Sequence, residues 1–263
     1  AANTALLVRL AQTTAADAST DGIAGSFSNL KASATGTNAA VTVTADSVCV
    51  KNAAGQQKVL NGVALAINSA SAGANGLDTG VLAASTWYSK WVIYNPTTQA
   101  VAGLLSLSAT APTMPAGFTH RARVGWIRTD ASANKFPLAF TQAGRNVQHV
   151  VAAGTNVTDF RQMASGSTGG TTLVAVAVGA FVPPTATRIR CFGQCTCSSA
   201  GAGVGIAPST ASPRPIVSIL GGSGAQYAAG AAHADMALEG ASIAWFSYNA
   251  GVGLFLVGWE DGL

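Results

Sequence analysis

Short runs of β-branched and aromatic residues recur along most of the chain, with Gly, Pro, Asn or Ser between consecutive runs. Runs of this composition form β-strands, and the residues between them form turns. The predicted strands are Val41–Val50, Val59–Ile67, Thr86–Tyr94, Val101–Leu107, Arg121–Arg128, Val147–Ala152, Thr171–Val178, Thr187–Thr196, Gly203–Ala207, Ile216–Leu220, Ala234–Leu238, Ser242–Tyr248 and Val252–Trp259. Many short strands separated by turn signals are typical of sandwiches and jelly rolls. We therefore predict an all-β chain with a β-sandwich or jelly-roll architecture.

The N-terminal segment departs from this pattern. No part of the chain keeps the 3.6-residue apolar period of an amphipathic helix, and the nearest candidate is the short segment Ala5–Gln12. The segment up to Ser28 is too polar and alanine-rich to build a core. It does contain a compact apolar cluster, which consists of Leu6, Leu7, Val8 and Leu10. We predict an N-terminal arm over residues 1–28 that docks onto a neighbouring protein through this cluster.

A second change in composition divides the strands into two series. Gly and Thr/Ser-rich sequence runs between Gly154 and Gly170, as expected of a linker or a long loop. This predicts one β-sandwich domain over residues 29–155 and another over residues 156–263. Within the second domain, Ser242–Leu263 has the pattern of a β-hairpin whose turn is Asn249-Ala250-Gly251.

Alternation along the strand Thr86–Tyr94 indicates which of its side chains are buried. One face carries Trp87, Trp91 and Ile93, and the other carries Tyr88, Val92 and Tyr94. Both faces are apolar, which predicts a central strand, or a strand at a subunit interface, with both tryptophans buried.

The same alternation assigns the arginines and cysteines to faces. In Arg121–Arg128, Arg121 and Arg123 are predicted to face solvent or a partner, opposite the face that carries Ala122, Val124 and Trp126. In Thr187–Thr196 the face shared by Cys191, Cys195 and Cys197 also carries Ile189. We interpret these cysteines as small buried hydrophobic residues; disulfides and a metal site are the alternatives that their spacing leaves open.

The composition indicates a protein that packs against other copies of itself or within an assembly. Charged residues make up 9% of the 263 residues, against about 25% in ordinary soluble domains. The net charge is +4, but the 14 Lys and Arg residues are spread along the chain. Nucleic-acid-binding proteins cluster such charges on one face, so nucleic acid is not among the predicted partners.

Membrane and secretion signals are missing from the sequence pattern. No window approaches the length of a transmembrane helix, and the N-terminal apolar run Ala5–Leu10 is interrupted by Arg9. It lacks the features of a signal peptide. We therefore expect no membrane span and expect the chain to fold in a cytoplasm.

The sequence offers little catalytic chemistry. It contains no nucleophile elbow, no phosphate-binding loop and no zinc-protease motif. His233 and Asp235 lie one strand period apart, but this spacing favours a hydrogen-bonded pair at the surface. The ten carboxylates are otherwise scattered, so no glycosidase pair can be assigned. We predict no catalytic residue, no cofactor and no metal ligand.

One stretch does resemble a known class of protein. The segment GLDTGVLAASTWYSKWVIYNPTT begins at Gly76, and AGLLSLSATAPTMPAGFTHRARVGWIRTDASAN ends at Asn134. Together they resemble a module of tailed-bacteriophage virion proteins, especially tail-fibre and host-attachment chains. The resemblance covers about Asn61–Asn146, and the Gly258-Trp259 pair is similar to the end of the closing hairpin in phage β domains.

The resemblance implies a non-enzymatic virion protein made in the host cytoplasm. It implies a tail fibre or receptor-binding protein, a homotrimer that joins other virion proteins through its N-terminal arm. A capsid decoration or head-fibre protein is the alternative, and a polysaccharide depolymerase is a third. Host contact through a glycan or pilus is expected at loops around Gly201–Ala207 and Gly221–Ala232. The candidate receptor contacts there are Tyr227, His233 and Asp235.

Overall fold

The computed structural model describes residues 25–151, 160–197, 203–212, 217–220, 228–248 and 250–263. These residues are all-β and include no helix, which confirms the predicted fold class. They include no apolar helix of membrane-spanning length. The chain divides into one compact unit that ends at Gly144 and includes Leu263, and a second unit, Arg145–Gly262. The predicted limits at residues 28 and 155 stay predictions.

The first unit contains nine strands among its described residues. They are β1 (Phe27–Ser28), β2 (Lys31–Ala34), β3 (Ala40–Lys51), β4 (Gln57–Asn68), β5 (Gly76–Leu77), β6 (Trp87–Tyr94), β7 (Val101–Ser106), β8 (His120–Arg128) and β9 (Phe140–Ala143). Strand β3 pairs with β4 along one edge and with β2, β1 and β8 in succession along the other. Strand β9 pairs with β2, and the order β8-β6-β7-β5 completes the unit. All of these pairs are antiparallel except β5–β7.

Strands β3 and β4 pack against β6 and β7, with which they are not paired, so the sheet of this unit folds over into two facing layers, as in a sandwich. The closest approach is between β4 and β7, where a Cβ on Gly103 would lie 2.3 Å from Cγ1 of Ile67. Glycine is therefore required on β7 for β4 to approach so closely. The interior contains fully buried valines and leucines from both layers, including Val41, Val43, Val92 and Leu105.

A lysine is buried inside this sandwich. Lys90 on β6 has no exposed surface, and its Nζ donates a hydrogen bond of 2.8 Å to Oε1 of Gln142 on β9. The Nζ also lies 4.9 Å from the centre of the Phe140 ring, within the range of a cation–π contact. The amide of Gln142 then donates to the carbonyl oxygens of Val124 and Gly144 at 2.8 Å each. A polar chain therefore links β6, β8 and β9 across the core.

The outer face of β6 is covered by the chain's own loop. Trp91 and Leu104 lie in a cluster of buried side chains, against which Met114 and Phe118 of the Pro-rich segment 107–119 pack. Asp78 holds this segment in place, because its Oδ2 accepts a hydrogen bond of 2.9 Å from the N–H of Thr113. The prediction of a strand buried on both faces is confirmed, and Trp91 is buried as predicted, but the predicted burial of Trp87 is wrong, because this residue begins the strand and is only half-buried.

The second unit contains nine further strands in the ranges that the structure describes. They are β10 (Asn146–His149), β11 (Arg161–Ser165), β12 (Val174–Ala177), β13 (Ala186–Cys197), β14 (Gly203–Ala207), β15 (Val217–Leu220), β16 (Ala228–Ala237), β17 (Ser242–Tyr248) and β18 (Ala250–Asp261). One sheet has the order β16-β13-β18-β10, with β11 also paired to β18, and a four-stranded sheet has the order β12-β17-β14-β15. The sheets meet where a Cβ on Gly193 of β13 would lie 2.7 Å from Val204 of β14.

The predicted C-terminal hairpin is wrong. Strand β17 pairs with β12 and β14, whereas β18 pairs with β13, β10 and β11, so the two strands belong to different sheets. Both strands are apolar on both faces. Each therefore needs a strand partner on both edges and cover on both faces, which a two-stranded hairpin cannot provide.

The cysteine interpretation is confirmed for Cys191, whose side chain is described; the side chains of Cys195 and Cys197 lie outside the description. Cys49 and Cys191 are buried free thiols. Burial raises the pKa of the Cys191 thiol to about 12, and the negative charge of Asp235 acts in the same direction. Burial also raises the pKa of Cys49.

The buried Lys90–Gln142 contact gives a test of what holds the first sandwich together. Gln142→Leu should lower the free energy of unfolding by about 2–4 kcal/mol, because it leaves a buried amine and two carbonyl groups without their amide partner. Lys90→Met should cost about 1–3 kcal/mol. The double variant should lose less than the sum of the two, since no buried amine is then left without its amide partner, although the carbonyl groups of Val124 and Gly144 still lose theirs. Urea unfolding measures all three.

Lys58→Met on the exposed part of β4 is the matched control, and it should change stability by no more than about 0.5 kcal/mol. Strictly additive losses in the double variant would contradict a direct coupling between Lys90 and Gln142.

Candidate binding site

The predicted receptor contacts fall in different parts of the structure. Tyr227 lies outside the described residues, as do Leu6, Leu7, Val8 and Leu10 of the predicted arm. His233 and Asp235 are exposed neighbours on β16 and share one face of that strand. Both therefore stand on a sheet surface and not at a loop tip.

Each of these two residues already has a contact within its sheet. Asp235 Oδ1 accepts a hydrogen bond of 3.1 Å from Nε of Arg188 and forms an ion pair of 3.0 Å with its Nη2. The His233 ring centre lies 5.6 Å from that of Phe192. No hydrogen bond joins His233 to Asp235 in the part of the chain that the structure describes.

The predicted receptor-contact loops are wrong where the structure describes them. Gly203–Ala207 is strand β14, and every one of its residues is buried. A Cβ on Gly205 would lie 2.2 Å from the ring of Phe246, its partner on the neighbouring strand β17, so glycine at this position makes room for that ring. Ala228–Ala232 likewise belongs to strand β16.

The first unit carries a set of residues that the sequence analysis did not bring together. Three arginines of β8 each lie over a tryptophan on the outer face of the β8–β6 sheet. The distances from guanidinium carbon to ring centre are 6.0 Å for Arg121 and Trp91, 5.8 Å for Arg123 and Trp126, and 5.7 Å for Arg128 and Trp87. We call these six residues the Arg–Trp ladder. Such contacts stabilise a cation and fix its position.

A β-bulge creates the ladder. Lys90 pairs with Gly125 while the next residue, Trp91, pairs with Arg123, so Val124 is an extra residue in β8. The bulge shifts the alternation, and Trp126 joins the face of Arg123. The predicted grouping of Trp126 with Val124 and Ala122 is therefore wrong, because alternation counted along the sequence does not include a bulge.

Glycine is needed at the bulge for two reasons. Gly125 has a φ of 138°, which L side chains rarely adopt. A Cβ there would also lie 2.8 Å from Oε1 of Gln142, the same atom that accepts the hydrogen bond from Lys90. The bulge and the buried lysine are thus parts of one arrangement.

A basic pocket of about 260 Å³ opens at the Arg121 end of the ladder. Its lining consists of Gly25, Lys51, Asn52, Trp91, Thr110, Arg121, Ala122, Arg123 and Leu263. Trp91 is 5% exposed and lies under Arg121, so the tryptophan supports the guanidinium and leaves little of its own ring for a ligand.

Two positively charged residues of this pocket lie next to each other, and their repulsion is unfavourable for the stability of the isolated chain. Lys51 and Arg121 are direct cross-strand partners at the point where β3 meets β8. Like charges in such positions destabilise a sheet, and neither residue forms an ion pair with any described residue. An anion bound between them would remove this repulsion.

The sequence contains part of the signal for this site. It shows Arg121, Arg123 and Arg128 as the densest basic group on an aromatic strand. The pairing of Lys51 with Arg121 joins residues seventy positions apart, and no local pattern reports such a contact.

Burial lowers the pKa of Arg128, and its Nη1 donates a hydrogen bond of 2.8 Å to the carbonyl oxygen of Ser85.

Metal ligation receives no support from the described residues. Within them, no three His, Cys, Asp or Glu side chains are close enough to share a metal ion.

His120, at the other end of β8 from Arg128, packs edge-on against Tyr94 with 5.7 Å between ring centres. Burial lowers the pKa of His120.

Comparison with known proteins adds no family to these observations. No protein-family model, no curated protein and no solved structure matches this chain.

The ladder predicts different roles for its two β6 tryptophans. Trp91→Ala should lower the free energy of unfolding by about 3–5 kcal/mol, because the ring is buried beneath Arg121 and in the cluster with Leu104. Trp87→Ala should cost clearly less, because Trp87 is half-buried at the end of the strand. Thermal and urea unfolding of both variants measure the difference. A small, equal effect of both substitutions would contradict a supporting role for Trp91.

Proposed function

We propose that this chain is a non-enzymatic structural protein of a tailed-phage virion. In this proposal it is a tail fibre or receptor-binding protein, and its β-sandwich presents a binding surface to the host cell. It is made in the host cytoplasm and functions on the particle.

This proposal is supported by the way in which the segment that resembles phage modules folds as a unit. Gly76–Asn134 contributes β5, β6, β7 and β8, which are neighbours in one sheet. Its loop over the outer face is fastened within the same segment by the hydrogen bond from Thr113 to Asp78. The side chain of Thr129 accepts a hydrogen bond of 2.9 Å from the N–H of Thr86 and closes the other end. A segment that closes on itself in this way is suited to reuse as a module.

The strand edges favour assembly into an oligomer, which we propose to be a homotrimer. Strand β4 is twelve residues long, and within the described residues it pairs only with β3. Its exposed positions include Ala64 and Ala66, and its single charged residue is Lys58. A long, weakly charged edge of this kind readily pairs or packs with another chain.

Two surfaces are candidates for host contact in this proposal. One contains Tyr227, His233 and Asp235, as the sequence analysis suggests. The other is the basic pocket at Lys51 and Arg121, whose charges lack ion-pair partners among the described residues. The pocket is the stronger candidate, because Asp235 is already paired with Arg188.

The location of the protein on the particle tests this function. Antibody raised against the purified chain should label the tail or tail fibres of intact particles in electron micrographs, and its Fab fragments should block adsorption to host cells. Label confined to the capsid would favour a decoration or head-fibre protein. Absence of label from purified particles would contradict the proposal.

The proposed attachment arm gives a second test. Deleting residues 1–25 should lower the melting temperature of the protein only slightly, because β1 begins at Phe27 and, of the described residues, the deletion removes Gly25 alone, with its hydrogen bond of 2.8 Å to the carbonyl oxygen of Cys49. The shortened protein should fail to enter particles when it is supplied in place of the full chain. Normal incorporation, measured by immunoblot of purified particles, would contradict an attachment role for Leu6, Leu7, Val8 and Leu10.

A further inference from the structure

We propose that the basic pocket at Lys51 and Arg121 binds an acidic saccharide, with the anionic group of one sugar held between the two cations. This proposal rests on the function proposed above and names the chemical class of the receptor.

Two like charges meet in this pocket. Lys51 and Arg121 lie directly opposite each other where β3 meets β8. No described carboxylate lies within ion-pair distance of either residue, so their repulsion is not compensated. A bound carboxylate or sulfate would interact with both cations at once. Charge-assisted hydrogen bonds of this kind are stronger than those between neutral groups.

Arg121 is held in place before any ligand binds. Its guanidinium lies over Trp91 and donates a hydrogen bond of 3.5 Å to the carbonyl oxygen of Thr110. One contact fixes the plane and the other fixes one end, so most of its five N–H donors remain available to a ligand. A guanidinium held in this way loses little freedom when it binds an anion.

The rim of the pocket is also fixed. Oδ1 of Asn52 accepts a hydrogen bond of 2.9 Å from the N–H of Gln56, and its Nδ2 donates one of 2.7 Å to Gln56 Oε1. Because Asn52 follows Lys51 directly, these bonds hold the turn that carries the lysine. The two cations are therefore presented by ordered backbone on both sides.

The volume and the lining of the pocket limit the size and polarity of the ligand. A volume of about 260 Å³ lies just below the roughly 300–1,000 Å³ typical of drug-sized ligands, and it suits one sugar residue of a longer chain. Neutral glycans usually need an exposed aromatic face, whereas Trp91 is covered by Arg121. Recognition must then come from charge.

Nucleic acid is the other polyanion that the ladder could attract, and the structure disfavours it. Proteins that bind single strands stack bases on free aromatic rings. Trp91 and Trp126 are 5% and 2% exposed, and each lies under an arginine. An acidic saccharide requires no such stacking.

Direct binding measurements on the full chain test the ligand class. Calorimetry at low ionic strength would compare oligogalacturonate, dextran sulfate, neutral dextran and a single-stranded DNA oligonucleotide. Binding of oligogalacturonate or dextran sulfate, with no binding of neutral dextran, is expected. Arg121→Glu and Lys51→Glu should each weaken this binding at least about tenfold. Lys31→Glu is the matched control, because it makes the same charge change at an exposed position of β2 outside the pocket, and its affinity should match the original chain.

Arg121 packs on Trp91, so Arg121→Glu could unfold the sandwich. Lys51 is exposed, and Lys51→Glu decides the outcome if the first variant melts early. Equal binding of neutral dextran, tighter binding of DNA than of both acidic saccharides, or unchanged affinity in Lys51→Glu would each overturn the proposal.

Adsorption assays separate failure of this site from failure of the proposed function. If the protein is on the tail and Fab fragments block adsorption, but particles carrying Lys51→Glu adsorb normally, the function stands and the ligand site is wrong. If Lys51→Glu loses saccharide binding but the protein is absent from particles, the site stands and the virion function is wrong.

Discussion

The first sandwich depends on a polar contact in its core. Lys90 has no exposed surface, and its amine donates a hydrogen bond to Gln142 on β9. Burying an amine is unfavourable unless it is hydrogen-bonded, so this contact favours the arrangement of β6 and β9 that brings the two side chains together. An apolar core of alanines and valines would tolerate several registers, because such side chains are similar in size and carry no directional bonds.

The same contact determines the outer surface. The amide of Gln142 is bonded to the carbonyl group of Val124, and its side chain occupies the space where any Cβ at position 125 would lie. Gly125 therefore allows the bulge, and the bulge places Trp126 beneath Arg123. A contact inside the core thus leads to an ordered row of cations outside it. The basic pocket is the end of that row that lies nearest β3.

The second unit is organised differently, since glycines in its core let larger side chains pack close to the backbone. Gly193 leaves room for Val204 of the facing sheet, Gly205 leaves room for Phe246 of the neighbouring strand β17, and all five residues of β14 are buried. Glycine-rich sequence here indicates close packing, although in isolation it has the composition of an exposed loop. The exposed polar pair His233 and Asp235 lies on the outside of this unit, where Arg188 already compensates the carboxylate.

The sequence by itself determined the fold class, most strand positions and the burial of both faces of β6. Ser242–Tyr248 and Gly203–Ala207 are strands at the predicted bounds, because β-branched and aromatic residues and their turn signals act locally. Short strands such as β2, β5, β9 and β11 were missed, since strands of two to five residues are too short to show a distinctive pattern. Only the tertiary structure decided that β17 and β18 enter different sheets, that Val124 is an extra residue in β8, and that Lys51 faces Arg121. Each of these depends on which distant strand is the neighbour, and strand pairing is a long-range property that alternation within a single strand does not contain.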